Sequence, residues 1–231
     1  MLPPTVLLML KTPRPGAVKT RLGSQIGVDA ACAAYRALVE HQLRHVPQEW
    51  PIQVCYEPAD AHEEMCAWLG ARHAYSPQAA GDLGHRLADA TRRHFEKCRA
   101  PVVIIGGDCP YLDQARFAEV ELLMASVDVA LVPALDGGYC LIALRRPEPR
   151  LFETIPWSTS HVLAETRARL IQCELRWHEL DSLEDVDDLA SWKRAVAAFP
   201  ELETKLENGD RSFQTNAPAQ LDPAPAVQPK Q

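Results

Sequence analysis

The chain has 231 residues, 47% of them hydrophobic and 24% charged, with a formal net charge of -7. That balance suits one α/β domain with a full core and speaks against a general nucleic-acid binder. The longest apolar run near the N-terminus, Val6 to Leu10, is too short for a signal-peptide core or a membrane span, so the expected location is the cytoplasm.

Val6–Leu10 predicts a first strand. The loop behind it, Lys11 to Leu22, carries the cations Lys11, Arg14, Lys19 and Arg21; Pro13 and Pro15 stiffen it and Gly16 supplies a turn. A rigid cationic loop beyond a first strand can clamp a diphosphate, with arginine binding two oxygens at once. Lys11, Pro15, Gly16, Lys19 and Arg21 are the candidate contacts, although a merely solvated basic loop would read the same. The GxxxxGK[ST] spacing of a Walker loop is absent. Ala30–His45 then predicts a helix, Ile52–Tyr56 a strand and Ala61–Leu69 a helix. Gly81-Asp82-Leu83-Gly84-His85-Arg86 opens a helix over His85–Lys97. Asp82 suits its N-cap, and Gly81, Asp82 and Arg86 double as nucleotide-contact candidates, because a loop at this edge faces the same cleft.

Val102–Ile105 is a short β-branched run that leads into Gly106-Gly107-Asp108-Cys109-Pro110. The glycines permit a sharp turn, and Pro110 ends the strand. Asp108 is left at the carboxyl end of a parallel strand, where open α/β sheets place their ligands. A carboxylate there is a hard ligand for Mg²⁺ or Mn²⁺, ions usually shared with substrate phosphates. The plainer alternative is a cap for the next helix, predicted over Gln114–Ala125.

Strands over Asp128–Val132 and Tyr139–Leu144 flank Asp136-Gly137-Gly138, a hairpin signal in its own right. Trp157-Ser158-Thr159 precedes a predicted helix, Ser160–Ile171, which Ser158 or Thr159 would cap. A strand over Leu175–Leu180 delivers Asp181 to its end as a candidate second metal ligand. Ser182 is expected to cap a helix over Glu184–Ala198, with acids in its first turn. This alternation predicts βαβ units and a mostly parallel sheet in one domain, residues 1–199. Residues 200–231 read as a tail, Pro-, Ala- and Gln-rich from Asn216 and expected to be largely disordered. The cysteines at 32, 55, 66, 98, 109, 140 and 173 contain no CxxC pair, and the histidines show no HExxH motif, so no soft-metal site or disulfide framework is expected.

In order, KxPxPGxVKTRL, GDLGxR, GxDCPxL, DGGYxLIxL, WST and DSxED resemble the DUF2064 family from about Val6 to about Trp192. That family is similar to the glycosyltransferase-A (nucleotide-diphospho-sugar transferase) superfamily and to guanylyltransferases of cofactor biosynthesis, molybdopterin among them. The resemblance implies a Rossmann-like three-layer α/β sandwich with a nucleotide cleft at its strand ends. It implies a divalent ion on Asp108, Lys19 and Arg21 as the basic positions of the first loop, and Gly16 as its turn. Asp136, Gly137 and Gly138 match an acceptor-side loop, with Tyr139 and Trp157 beside it, and Asp181 matches a late acidic position. The chain departs from the family at Glu179-Leu180-Asp181-Ser182, where members often carry DxDT, and at Cys140 and Ala143, which replace the aromatic and the glycine of YYLIGL.

The activity so implied is Mg²⁺- or Mn²⁺-dependent transfer of a sugar from a nucleoside diphosphate. Lys19 would stabilise the leaving diphosphate, and Asp136 would orient or deprotonate the acceptor. The alternatives are nucleotidyl transfer, joining a nucleoside triphosphate to a phosphorylated small molecule, and non-catalytic nucleotide binding. The base, sugar, acceptor and oligomeric state do not follow from the residues.

Overall fold

In the computed structural model, which describes residues 2–203, the apolar runs gather into one seven-stranded sheet with helices on both faces. In chain order the elements are β1 (Thr5–Lys11), α1 (Thr20–Ile26), α2 (Val28–His45), β2 (Ile52–Glu57), α3 (His62–Leu69), β3 (Ala74–Pro77), α4 (Leu83–Lys97), β4 (Val102–Ile105) and α5 (Gln114–Leu123). There follow β5 (Val129–Pro133), β6 (Tyr139–Leu144), a 3₁₀ turn (Pro149–Phe152), α6 (Val162–Gln172), β7 (Trp177–Glu179) and α7 (Leu189–Ala198). The strand order is β3-β2-β1-β4-β6-β5-β7. All neighbours are parallel except β6, which runs antiparallel between β4 and β5. The chain builds outward from β1 to β3, then returns to place β4 on the other side of β1. Such a reversal of winding opens a crevice at the carboxyl ends of the two strands.

Side-chain alternation sorts β1 between two cores. Val6, Leu8 and Leu10 join Val103, Ile105, Tyr35, Val39 and Phe117 on one face, while Leu7 joins Ile104, Ile142, Leu87 and Leu163 on the other. This is the three-layer sandwich, and the all-apolar burial of β4 and β5 is what strands covered on both faces require. A third cluster packs α1, α2 and α7 through Leu22, Leu38, Trp192 and Leu202. Leu202 is fully buried, so the fold continues past the expected boundary at residue 199; the rest of the expected tail lies outside the described residues. Among the described residues, no helix is long and apolar enough to cross a membrane.

Three expectations change. The expected basic loop is interrupted by α1, and β3 is an additional four-residue edge strand. The helix expected from Glu184 starts only at Leu189. Asp188, not Ser182, caps it, in a reciprocal capping box with Ser191. Residues 183–186 are instead tied across the strand ends. Leu183 N–H donates to the Pro133 carbonyl (2.9 Å), Leu135 N–H to the Leu183 carbonyl (3.1 Å) and Val186 N–H to the Asp108 carbonyl (2.9 Å). These tertiary bonds outweigh the local preference for helix. Asp113, rather than Asp108, caps α5 by accepting from Arg116 N–H at 2.8 Å, which leaves Asp108 available to the crevice.

The turn leaving β4 passes tight against α2. A methyl group on Gly107 would collide with Val39 and lie 2.9 Å from Leu10 Cδ2, whereas Gly106 has open space around it. Gly107→Ala should therefore cost about 1–3 kcal/mol by overpacking, and Gly106→Ala about 0.5 kcal/mol or less. Urea unfolding of both variants checks this; equal losses would refute the close approach.

Candidate functional site

The end of β1 is locked before the basic loop begins. Lys11 N–H donates to the Tyr35 hydroxyl (3.2 Å), which donates in turn to the Lys11 carbonyl (3.1 Å). Thr12 Oγ1 donates to the Glu57 carbonyl at 2.9 Å. Gly16 turns the loop at φ +78°, and Arg14 reaches α3, where it holds both oxygens of Glu64 (2.5 and 3.1 Å). Arg14 therefore serves as a loop anchor.

Lys19 occupies the left-handed region at φ 47°, which is costly for a residue with a Cβ. Its side chain is only 5% exposed, and Nζ lies 2.9 Å from Asp108 Oδ1 and 3.7 Å from Asp187 Oδ1. The same ammonium donates to the Val186 carbonyl. Arg21, largely exposed, lies 3.4 Å from Asp187 Oδ2. Lys11, Lys19, Arg21 and Arg86 share a cavity of about 370 Å³ whose floor includes Gly106, Gly107 and Asp108. On its far wall Arg86 pairs with Glu57, and the Gln78 amide donates to the carbonyls of Leu10 (3.0 Å) and Cys55 (2.9 Å). Pro15, Gly16, Gly81 and Asp82 do not line this cavity. Asp82 acts as the N-cap of α4, accepting from His85 N–H at 2.8 Å.

Beside it lies a smaller cavity of about 130 Å³, lined by Asp108, Asp136, Gly138, Tyr139 and Asp185 together with Cys109 and Cys140. Asp108 borders both cavities. Carboxylate oxygens of Asp136, Asp185 and Asp187 all lie within 4.8 Å of one another. Burial, reinforced by the charges of Asp136, Asp187 and Asp108, pushes the Asp185 carboxyl up to about 6. The neighbouring Cys140 stays a thiol, its pKa raised by a hydrogen bond with Cys109 and by burial. Crowded acids beside a basic cavity can hold a hard cation next to an anion, which is what a metal-bridged phosphate requires.

The hairpin turn presenting Asp136 is fixed by its own backbone. Asp136 Oδ1 accepts from Gly138 N–H at 2.8 Å. Gly137 sits at φ +92°, where a Cβ would strike the Ser160 carbonyl, and its own carbonyl accepts from Leu163 N–H at 2.8 Å. Trp157 packs edge-on to Tyr139 (ring centroids 6.4 Å apart) and against Gly84, lining neither cavity. Asp181 is exposed beyond β7 and likewise lines neither cavity. Asp185 and Asp187 are the acids that the segment after β7 brings to the cleft. Reading 184–198 as one helix hides them; the density of acids before the Asp188 cap was the available signal.

A family model described as "Uncharacterized protein conserved in bacteria (DUF2064)" matches residues 42–159. The chain belongs to this family. No curated protein matches it. Among solved structures, a Desulfovibrio desulfuricans G20 protein, provisionally named a nucleotide-diphospho-sugar transferase, is 30% identical with a TM-score of 0.78, over 90% of this chain and 98% of that one. A cytidylyltransferase from Leptospira borgpetersenii (14% identity, TM-score 0.54) covers 94% of this chain and 99% of its own. The CMP:2-keto-3-deoxy-manno-octonic acid synthetase bound to CTP (10% identity, TM-score 0.56) covers 86% and 99%. These last two share the fold with the DUF2064 chain, as the mixed seven-stranded sheet already suggests.

The raised Asp185 carboxyl has a stability consequence. The folded state holds that proton more tightly than the unfolded chain, whose ordinary value is 3.8. The resulting stabilisation is full below about pH 4 and lost as pH rises through about 6, leaving a crowded carboxylate at neutral pH. Asp185→Asn should therefore raise metal-free stability at pH 7 by about 1–2 kcal/mol, allowing for partial exposure, with the gain vanishing near pH 4. Denaturant melts at the two pH values test this, and a gain that is the same at both would contradict it.

Proposed function

We propose that this DUF2064 protein is a divalent-metal-dependent transferase that moves a sugar from a nucleoside diphosphate to an acceptor. The observation that carries the reading is the pairing of a basic cavity with a carboxylate cluster across Asp108 and the buried Lys19. The larger cavity, at about 370 Å³, falls within the size range of small-molecule and cofactor sites. The name of the Desulfovibrio relative supports the same class of substrate.

In this reading Lys11, Arg21 and Arg86 attract the diphosphate, and Lys19 is the preorganised charge that stabilises it as it leaves. The cleft acids fit Mg²⁺ or Mn²⁺ by their chemistry. Their donors are all carboxylate oxygens, three of them are already gathered within 4.8 Å, and their mutual repulsion is relieved by a cation. Asp136, Asp185 and Asp187 would hold the ion, with Asp108 between it and the basic cavity. When bound, it supplies Lewis-acid polarisation and charge neutralisation at the diphosphate oxygens. The Asp136 turn, pinned through Gly137 and Gly138, forms the acceptor side and orients the incoming hydroxyl. Asp181, outside both cavities, is left without a role at the ion.

Calorimetric titration with nucleotide sugars in Mn²⁺ tests the proposal. Asp187→Asn and Lys19→Met should each weaken binding about ten-fold or more, the loss of roughly 1.4 kcal/mol or more of charge-assisted contact. Release of a nucleoside diphosphate during turnover supports sugar transfer. Release of pyrophosphate from a triphosphate and a phosphorylated acceptor would replace it with nucleotidyl transfer, and binding of neither nucleotide class would refute both.

A further inference from the structure

Outside both cavities, the first two turns of α3 carry His62 and Cys66, four residues apart and so on one helical face. His62 Nε2 and Cys66 Sγ are 3.6 Å apart. Tetrahedral zinc, with Zn–S about 2.3 Å and Zn–N about 2.0–2.1 Å, sets its nitrogen and sulfur ligands about 3.5–3.6 Å from each other. The two side chains thus already stand at the bite of a zinc chelate. The imidazole is also oriented from behind. Its Nδ1 lies 3.4 Å from the hydroxyl of the buried Tyr56, and its ring packs against Tyr56 (centroids 5.9 Å apart) and edge-on to Tyr75 (5.8 Å). A hydrogen bond at the far nitrogen is the usual means of fixing a ligating histidine's tautomer.

We propose that His62 and Cys66 form a binding site for a soft divalent cation such as Zn²⁺, distinct from the oxygen-only cluster in the cleft. The pair escapes a search for CxxC, HxxxH or HExxH because its ligands are mixed. Binding replaces one proton: the Cys66 S–H bond breaks, a Zn–Sγ bond forms, and the proton passes to solvent with no change of oxidation state. His62 is exposed and Cys66 half-buried, so two protein side chains would hold the cation and water would fill its other positions. Softness separates the two sites. Thiolate and imidazole select zinc, whereas the carboxylates of Asp136, Asp185 and Asp187 suit magnesium or manganese.

The test is protection from alkylation. The full-length protein is treated with iodoacetamide with and without Zn²⁺, in excess Mg²⁺ to occupy the cleft acids, and modification is read cysteine by cysteine from peptide masses. Zinc should slow alkylation of Cys66 by about ten-fold or more, because the thiolate is then a ligand and no longer a free nucleophile. The half-buried Cys98 and Cys173 serve as internal controls whose rates should not change. His62→Gln, at an exposed position, should remove the protection while the protein stays folded, and Cys66→Ser should abolish the thiolate-to-metal charge-transfer band seen with Co²⁺. Equal alkylation of Cys66 with and without zinc overturns the proposal, as does protection that survives in His62→Gln.

Discussion

The Lys19 ammonium, almost fully buried between Asp108, the Val186 carbonyl and Asp187, is the contact on which the rest of the cleft depends. A buried charge is tolerated only when it is paired and hydrogen-bonded, and here the contact joins three separate stretches of chain. One is the loop after β1, another the exit of β4, and the third the segment after β7. Lys19 also spends backbone energy to get there, since the left-handed conformation costs on the order of 1 kcal/mol or more. The price is met because moving any one of the three segments would strand either the ammonium or its carboxylates.

That same contact partitions the charge of the cleft. On one side stand Lys11, Arg21 and Arg86; on the other stand Asp136 and Asp185. The segment carrying Asp185 and Asp187 is held by its backbone, through Leu183 and Val186, and by the pairing of Asp187 with Lys19 and Arg21, so the Asp185 carboxylate is not consumed in holding it. Asp185 in particular is crowded by acids and raised toward neutrality. Structural carboxylates elsewhere in the chain are treated differently: Glu64, Glu179 and Glu184 are each gripped by an arginine and pushed down. An acid left crowded in a cleft, while these three are each paired, is the behaviour expected of a functional group.

Much of this was legible from residue order. The β-branched run Val102–Ile105 and its glycine turn placed Asp108 at a strand end because burial, turn chemistry and proline all pointed the same way. Tyr139–Leu144 was readable for the same reason, as a strand entered through Asp-Gly. The segment 184–188 was not readable, because its acid-rich start and following apolar spacing satisfy a helix locally. Only the long-range bonds to Pro133 and Asp108 make it extended. Edge strand β3 was hidden by its length and by the proline at its end. Lys19 was visible as a cation of the first loop, but its burial and its bond to Val186, 167 residues away, belong to tertiary structure alone.

The antiparallel strand explains why the acids can meet at all. In a wholly parallel sheet, every strand would exit at the cleft and enter from the opposite edge, so that no hairpin could lie between two exits. Because β6 runs against β4 and β5, the turn joining β5 to β6 sits at the same edge as the ends of β1, β4 and β7. Asp136 thereby joins Asp108 from the β4 exit and Asp185 from the segment after β7. The bridge between Ala134 and Leu183 continues the parallel pairing of β5 and β7 past their formal ends and carries that segment up to the hairpin. Gly137 then seats the turn against the start of α6, where any side chain would meet the Ser160 carbonyl. One reversed strand and one closely packed glycine thus convert the carboxyl edge of the sheet into a two-sided cleft, whose basic and acidic cavities share Asp108.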